Sequence, residues 1–202
     1  DPLGSLLELM DVETGRREVI YRADDIFEAP NWTPDGKALI FNRSGRLYRF
    51  DLATRTPMLI DTEPVTQNNN DHVISFDGTM LAISSSNDQD KASIVYTVPI
   101  EGGVPKRITA RGPSYLHGWS PDGKWLTYTA QRNDVYDIYK MKAKGGTEIR
   151  LTDAPGLDEA RLELDAPERL LADVGLAGNL ERLALQAHGR HVDLAEIGRA
   201  HV

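Results

Sequence analysis

The sequence contains no cysteine. That absence excludes disulfides, thiolate metal sites and cysteine nucleophiles, and leaves the compartment open between periplasm and cytoplasm. No apolar run approaches the roughly 20 residues that a membrane-spanning helix needs. No initiator methionine and no charged-then-apolar leader opens the chain, so it reads as a mature chain or a fragment, without a signal peptide. Basic charge is in deficit: 23 Lys and Arg stand against 31 Asp and Glu, a net charge of −8. Such a surface repels phosphate backbones, which argues against nucleic acid as a general partner. There is no phosphate-cradling glycine loop and no His-Glu-x-x-His. The nearest approach to a Gly-x-Ser-x-Gly nucleophile elbow, Gly118-Trp119-Ser120-Pro121-Asp122, ends in Asp and reads as a turn. What remains is 202 residues with 40% apolar and 27% charged side chains, the balance of a folded domain.

Within that chain three segments align on an Asp-Gly pair. They are Asn31-Trp32-Thr33-Pro34-Asp35-Gly36, Val73-Ile74-Ser75-Phe76-Asp77-Gly78 and Gly118-Trp119-Ser120-Pro121-Asp122-Gly123. The aspartates are 42 and 45 residues apart, the period of a propeller blade. An apolar residue stands three before each Asp (Trp32, Ile74, Trp119), another four after it (Leu39, Leu81, Leu126) and a third six after it (Phe41, Ile83, Tyr128). The last two positions are two apart and share one face of a strand. Asp-Gly is a tight-turn pair, so each unit opens with a hairpin. The second halves repeat as well. Val95-Tyr96-Thr97-Val98 and Ile138-Tyr139-Lys140-Met141 each lead to a Gly pair and then to Ile-Thr or Leu-Thr. Four short strands per unit predict an all-β, antiparallel propeller, with about fourteen strands between Leu6 and Thr152. The expected divisions are a half-blade over 6–28 and repeats over 29–62, 70–109 and 115–152. Trp32, Ile74, Trp119, Leu39, Leu81, Leu126, Phe41 and Ile83 are the expected core between blades. Trp125 and the other tryptophans read as packing rather than as ligand platforms.

These residues also carry a family resemblance. Trp-Thr/Ser-Pro-Asp-Gly-Lys followed by Leu-x-Phe/Tyr, then Ile-Tyr, Gly-Gly and Leu-Thr, resembles the blades of TolB-like β-propellers with WD-like repeats. Ala29-Pro30-Asn31-Trp32, Asn69-Asn70-Asp71-His72, His117-Gly118-Trp119 and the Asp158 region look closest to the short, single-domain TolB-like proteins. The resemblance covers roughly Leu6 to Glu159. It implies a bacterial propeller; a fold alone does not imply a function. Similar propellers also cover the active site of prolyl-peptidase-type serine hydrolases, which keeps that enzymatic association as an alternative.

From Ala160 to Val202 there is no Lys, Ser, Thr or aromatic residue, and the repeat stops. Three readings stay open for 160–202. Asp165, Pro167 and Glu168 suit a capped helix start, and Leu170, Leu171 and Val174 have helical spacing. Ala166-Pro167-Glu168 also echoes a degraded blade. Glu196-Ile197-Gly198-Arg199-Ala200-His201-Val202 resembles a translated sequencing adapter, which makes the tail an artefact and any role for His188, His191 or His201 unsupported. About three and a half units are then blade, too few to close a ring of six, and an open arc with self-association is the expectation.

The chemistry-bearing residues lie just upstream of the Asp-Gly turns. His72 and His117 each stand five before an Asp, which predicts equivalent places on neighbouring inner strands. Glu28, Asn70, Asp71 and Asp158, with Glu159 beside it, are expected on the same rim of a central channel. Carboxylates and imidazoles gathered there suit a protein segment, a peptide or a small polar ligand. No resident cofactor is implied; a divalent cation on His72, His117 and Asp71 is the version with a metal. The favoured function is non-enzymatic binding. A channel-mouth metal-dependent hydrolase is a further alternative. Arg16, Arg17, Glu18 and 88–91 read as solvated surface.

Overall fold

The computed structural model describes residues 4–87, 89 and 91–153. These form fourteen strands and no helix, paired antiparallel into four sheets. β1 (Ser5–Met10) and β2 (Arg17–Ala23) make a two-stranded hairpin. β3 (Phe27–Trp32), β4 (Ala38–Arg43), β5 (Arg46–Asp51) and β6 (Thr56–Ile60) form the first four-stranded blade in that order. β7 (Asn68–Ile74), β8 (Met80–Ser86), β9 (Ser93–Pro99) and β10 (Lys106–Arg107) form the second. β11 (Ser114–Trp119), β12 (Trp125–Arg132), β13 (Val135–Lys142) and β14 (Ile149–Arg150) form the third. The expected helix or degraded blade over 160–202 lies outside the described residues.

The repeated turn is built by side chains as much as by glycine. Thr33, Ser75 and Ser120 each donate a hydroxyl hydrogen bond of 2.6 Å to the Asp two residues later. The same hydroxyls accept the backbone N–H of Ala38, Met80 and Trp125. Each Asp also accepts the N–H two residues on, from Lys37, Thr79 and Lys124. Phe76 replaces proline in the second unit, and the network is the same. The invariant chemistry of the turn is therefore Ser/Thr-x-Asp-Gly, with proline dispensable.

The outer strands β10 and β14 are two residues long because a threonine hydroxyl completes the ladder. Thr109 Oγ1 accepts the Val95 N–H at 3.0 Å, and Thr152 Oγ1 accepts the Ile138 N–H at 3.0 Å. Side-chain closure gives the second and third blades a short outer edge, with little free strand for another chain to pair with, whereas β6 of the first blade runs five residues.

Apolar faces meet between sheets. Ile40, Leu47 and Ile60 of the first blade pack with Leu81, Ile83, Tyr96 and Val98 of the second. Ala82, Val95 and Ile108 pack with Leu116, Trp119, Leu126 and Tyr128 of the third. Leu7 and Ile20 join Phe27, Leu39, Phe41 and Phe50 at the hairpin side, where the Phe27 and Phe41 rings are 4.8 Å apart. Six of the eight expected core residues are buried; two are not. Trp32 is 39% exposed, and Ile74 is half-buried. Trp119 donates its indole N–H to the Val73 carbonyl of the preceding inner strand at 3.0 Å. The described residues before β3 supply no such strand, only the β1–β2 hairpin, so Trp32 lacks the wall that encloses Trp119. Trp125 is half-buried under the ammonium groups of Lys140 and Lys142, 5.3 and 5.9 Å from its ring. Arg17 and Glu18 belong to β2, and Glu18 is ion-paired with Arg55 at 2.6 Å.

One turn ties the fold to the candidate site. Ser44 and Gly45 both have positive φ, 49° and 75°, which suits a two-residue hairpin between β4 and β5. The Gly45 carbonyl accepts both the N–H and the side-chain amide of Asn68, which begins β7. A Cβ on Gly45 meets the Thr66 carbonyl oxygen at 2.5 Å, whereas one on Gly36, at φ 69°, meets nothing. Gly36→Ala is expected to cost about 1 kcal/mol of backbone strain, and Gly45→Ala about 2–3 kcal/mol because a clash is added. Urea unfolding of the two variants measures the difference.

Candidate functional site

The three inner strands β3, β7 and β11 share a defect at the same level. The pairing of each with its second strand slips between Glu28 and Asn31, between Asn68 and His72, and between Leu116 and Gly118. A bulge of this kind re-aims the side chains around it. Glu28 lies opposite Asn42, and Tyr115 lies opposite Thr129. Asn69, Asn70 and Asp71 fill the slip of β7, across from Ser84. Glu28, Asn70 and Tyr115 thus occupy one level on three successive inner strands. Behind them the second strands carry a buried polar layer of Asn42, Ser84 and Thr129.

Glu28 and Asn70 are exposed, and Asp71 is half-buried. Glu28 accepts a long hydrogen bond, 3.5 Å, from the Asn42 amide. Asn69 fixes the bulge: its amide donates to the Asp71 carboxylate at 3.0 Å, and its carbonyl oxygen accepts the Asp71 N–H at 3.0 Å. Asn31 joins two inner strands by donating to the Ala29 carbonyl at 2.9 Å and to the His72 carbonyl at 3.1 Å. Ala29 holds a φ of 53°, a left-handed conformation that keeps its carbonyl turned to Asn31.

The two histidines are not equivalent, despite their equal offset from Asp. His72 pairs with Ile83 in the ladder, whereas His117 falls in the slip itself. His72 is 1% exposed and its Nε2 lies 3.2 Å from the Ile40 carbonyl oxygen of the first blade. A carbonyl only accepts, so Nε2 carries the proton and Nδ1 is left as a bare lone pair. Among the described residues, Nδ1 has no hydrogen-bond partner. Burial pushes this imidazole down to about 4, against the pull of the Ile40 and Ala29 carbonyls toward the charged form. His117, half-buried, shares a 2.7 Å hydrogen bond with the Thr129 hydroxyl and is likewise pushed by desolvation to about 4. Both rings are neutral at pH 7. Among the described residues, no three His, Asp or Glu side chains come together as a cation would need. Asp158 and Glu159 lie outside the described residues. Tyr115 is the member of this level that the sequence reading missed. Its signal was an offset of seven before Asp, shared with Glu28 and Asn70.

The repeat and the four-stranded blades match a known domain. The model of the TolB beta propeller domain matches residues 4–162. This chain belongs to that family. An uncharacterized protein of Agrobacterium fabrum, Atu1656, is 45% identical over 156 residues, which is 77% of this chain and 53% of that one. A solved TolB candidate from Agrobacterium tumefaciens superposes with a TM-score of 0.71 at 44% identity, over 76% of this chain and 55% of its own. The TolB of Acinetobacter baumannii aligns with a TM-score of 0.64 at 23% identity, over 75% of this chain and 38% of its own, a likeness of fold. The chain therefore spans about half the length of the curated relative it matches. Among the described residues of this TolB-family propeller, no helix is long and apolar enough to cross a membrane.

Proposed function

We propose that this TolB-family chain is a non-enzymatic binding module, engaging a protein segment, a peptide or a small polar ligand at the bulged ends of its inner strands. The observation that carries the reading is the level shared by Glu28, Asn70 and Tyr115, with Asp71 beside Asn70. Glu28 and Asn70 are exposed there, Asp71 and Tyr115 are half-buried, and hydrogen bonds hold the backbone of the β7 bulge and tie β3 to β7 beneath them. Binding to a preorganised surface avoids the entropy of ordering it. The neutral, enclosed His72 serves the support rather than the contact.

The test is a peptide array probed with the chain and with an Asn70→Ala/Asp71→Asn variant. The variant is expected to lose about tenfold in affinity for the peptides the parent selects, a loss of about 1.4 kcal/mol. A Lys37→Gln control, remote from this level, is expected to keep them. An unchanged peptide set in the double variant overturns the reading. Turnover in a panel of ester and peptide substrates, with and without added divalent metal, overturns the non-enzymatic part of it.

A further inference from the structure

A second polar centre lies away from the bulged level, on the outer half of the third blade. It is a cleft of about 290 Å³ lined by Arg111, Arg132 and Arg150 with Asp137, Tyr139 and Glu148. Arg132 is 5% exposed at its side chain and has its nitrogens occupied. Nε and Nη2 donate to the two oxygens of Glu148 at 2.8 and 2.6 Å, and Nη1 donates to the Pro113 and Gln131 carbonyls. Glu148 is occupied in turn: its Oε2 also accepts the Tyr128 hydroxyl at 2.9 Å. Asp137 is buried and accepts from Arg150 at 2.8 Å and from Thr152 at 3.4 Å. Both carboxylates of the cleft are thus neutralised by partners from within the blade.

The open side is cationic. The Arg111 side chain is 67% exposed and stands 3.7 Å from Glu148. The Arg150 side chain is 45% exposed, and its Nη2 is the atom bonded to Asp137. Three guanidinium groups face two carboxylates along the cleft wall, and Asp153 acts on Arg150 from outside it, so the cationic character is local to the exposed Arg111 and Arg150 side chains. The Tyr139 ring lies beneath, with the Arg132 guanidinium 5.5 Å from its centre. The Tyr128 ring stacks on Tyr139 at 6.1 Å, so the apolar surface left open in the cleft is Val135. Guanidinium forks match carboxylates in geometry, and an exposed valine beside them suits a short hydrocarbon stem. We propose that this cleft binds a short-chain organic carboxylate of about the size of succinate. The Arg111 and Arg150 forks hold its carboxylate, and the exposed Val135 side chain at the cleft wall lies against its carbon chain. Arg132 also donates to Ser114 Oγ at 3.0 Å, at the start of β11, but the groups assigned to this ligand stand on none of the inner strands, so failure here leaves the proposal made for those strands untouched.

The experiment follows the Val135 methyl resonances, at the cleft wall, during titration with succinate at constant ionic strength. Saturable shifts with a dissociation constant of about 1–10 mM are expected, and none with neutral succinamide. Arg111→Ala is expected to weaken binding about fivefold or more, while Arg16→Ala, on the hairpin, leaves it unchanged. Arg111 is largely in solvent, so its loss leaves the fold intact, and an unchanged melting curve confirms that. Shifts that fail to saturate, an equal response to succinamide, equal competition by inorganic phosphate, or indifference to Arg111→Ala would each overturn the proposal.

Discussion

Replacing Trp119 by alanine is expected to destabilise the chain by about 3–5 kcal/mol, the range for a large buried aromatic. The side chain is 3% exposed and sits among Ala82, Val95 and Ile108 of the second blade and Leu116, Leu126 and Tyr128 of its own. Its indole N–H is also the hydrogen bond that crosses from the third blade to the Val73 carbonyl of the second. Truncation removes the packing, opens a cavity and takes the donor from that carbonyl at once. Trp32→Ala is the matched control, the same residue at the same repeat position. With 39% of its surface in water it is expected to cost about 1 kcal/mol. Urea unfolding with equal slopes for parent and variants reads both values. Equal losses for the two would show that position in the repeat, and not enclosure by the preceding blade, sets the contribution.

The contrast between those tryptophans marks how far the repeat could be read. An Asp-Gly offset fixes strand order, hairpins and most of the inward-facing positions, because these follow from turn chemistry and a two-residue alternation. It identified Leu39, Leu81 and Leu126, all buried. It does not register what stands on the far side of a blade, which is why Trp32 looked like Trp119. A bulge is invisible for the same reason. Counting five back from Asp places His72 and His117 together, but an inserted residue moves one of them out of the ladder. The Arg132–Glu148–Asp137 centre left no trace at all. The position of Arg132, ten after Asp, holds Gly45 in the first blade and Asn87 in the second. Periodicity finds what blades share, and this centre is what the third blade has alone. Glu28, Asn70 and Asp71 were legible as surface polar residues at one end of the inner strands. A shared offset of seven before Asp placed Glu28 and Asn70 together, but that Tyr115 completes the level shows only in the strand register.

Stability is expected to fall in two steps on acidification, and the first belongs to the histidines. His72 in the folded chain titrates at about 4, below its ordinary 6.5, because the buried ring resists charge. Unfolding returns it to water, where it takes up a proton near 6.5. Between those values the unfolded chain binds a proton that the folded chain refuses, so stability is complete above pH 6.5 and declines as pH falls toward 4. For His72 the loss is about 3 kcal/mol when the window has been crossed. His117 shifts in the same direction and adds a smaller share, since part of that residue stays in water. The second step lies lower. Asp35, Asp77 and Asp122 are held below the usual carboxylate range, first of all by the hydroxyls of Thr33, Ser75 and Ser120. Their contribution is present above the ordinary carboxylate value and is lost as pH drops toward about 2, the value for Asp122. Urea midpoints taken between pH 7.5 and 4.5 isolate the first step, because those turns are still fully ionised there. His72→Gln keeps a donor for the Ile40 carbonyl and does not titrate. It is expected to lower stability at pH 7.5 and to flatten the decline toward pH 4.5 by most of the His72 share. A parent whose stability is level from pH 7.5 to 4.5, or a His72→Gln variant with the parent's slope, would show that the ring charges without unfolding the blades.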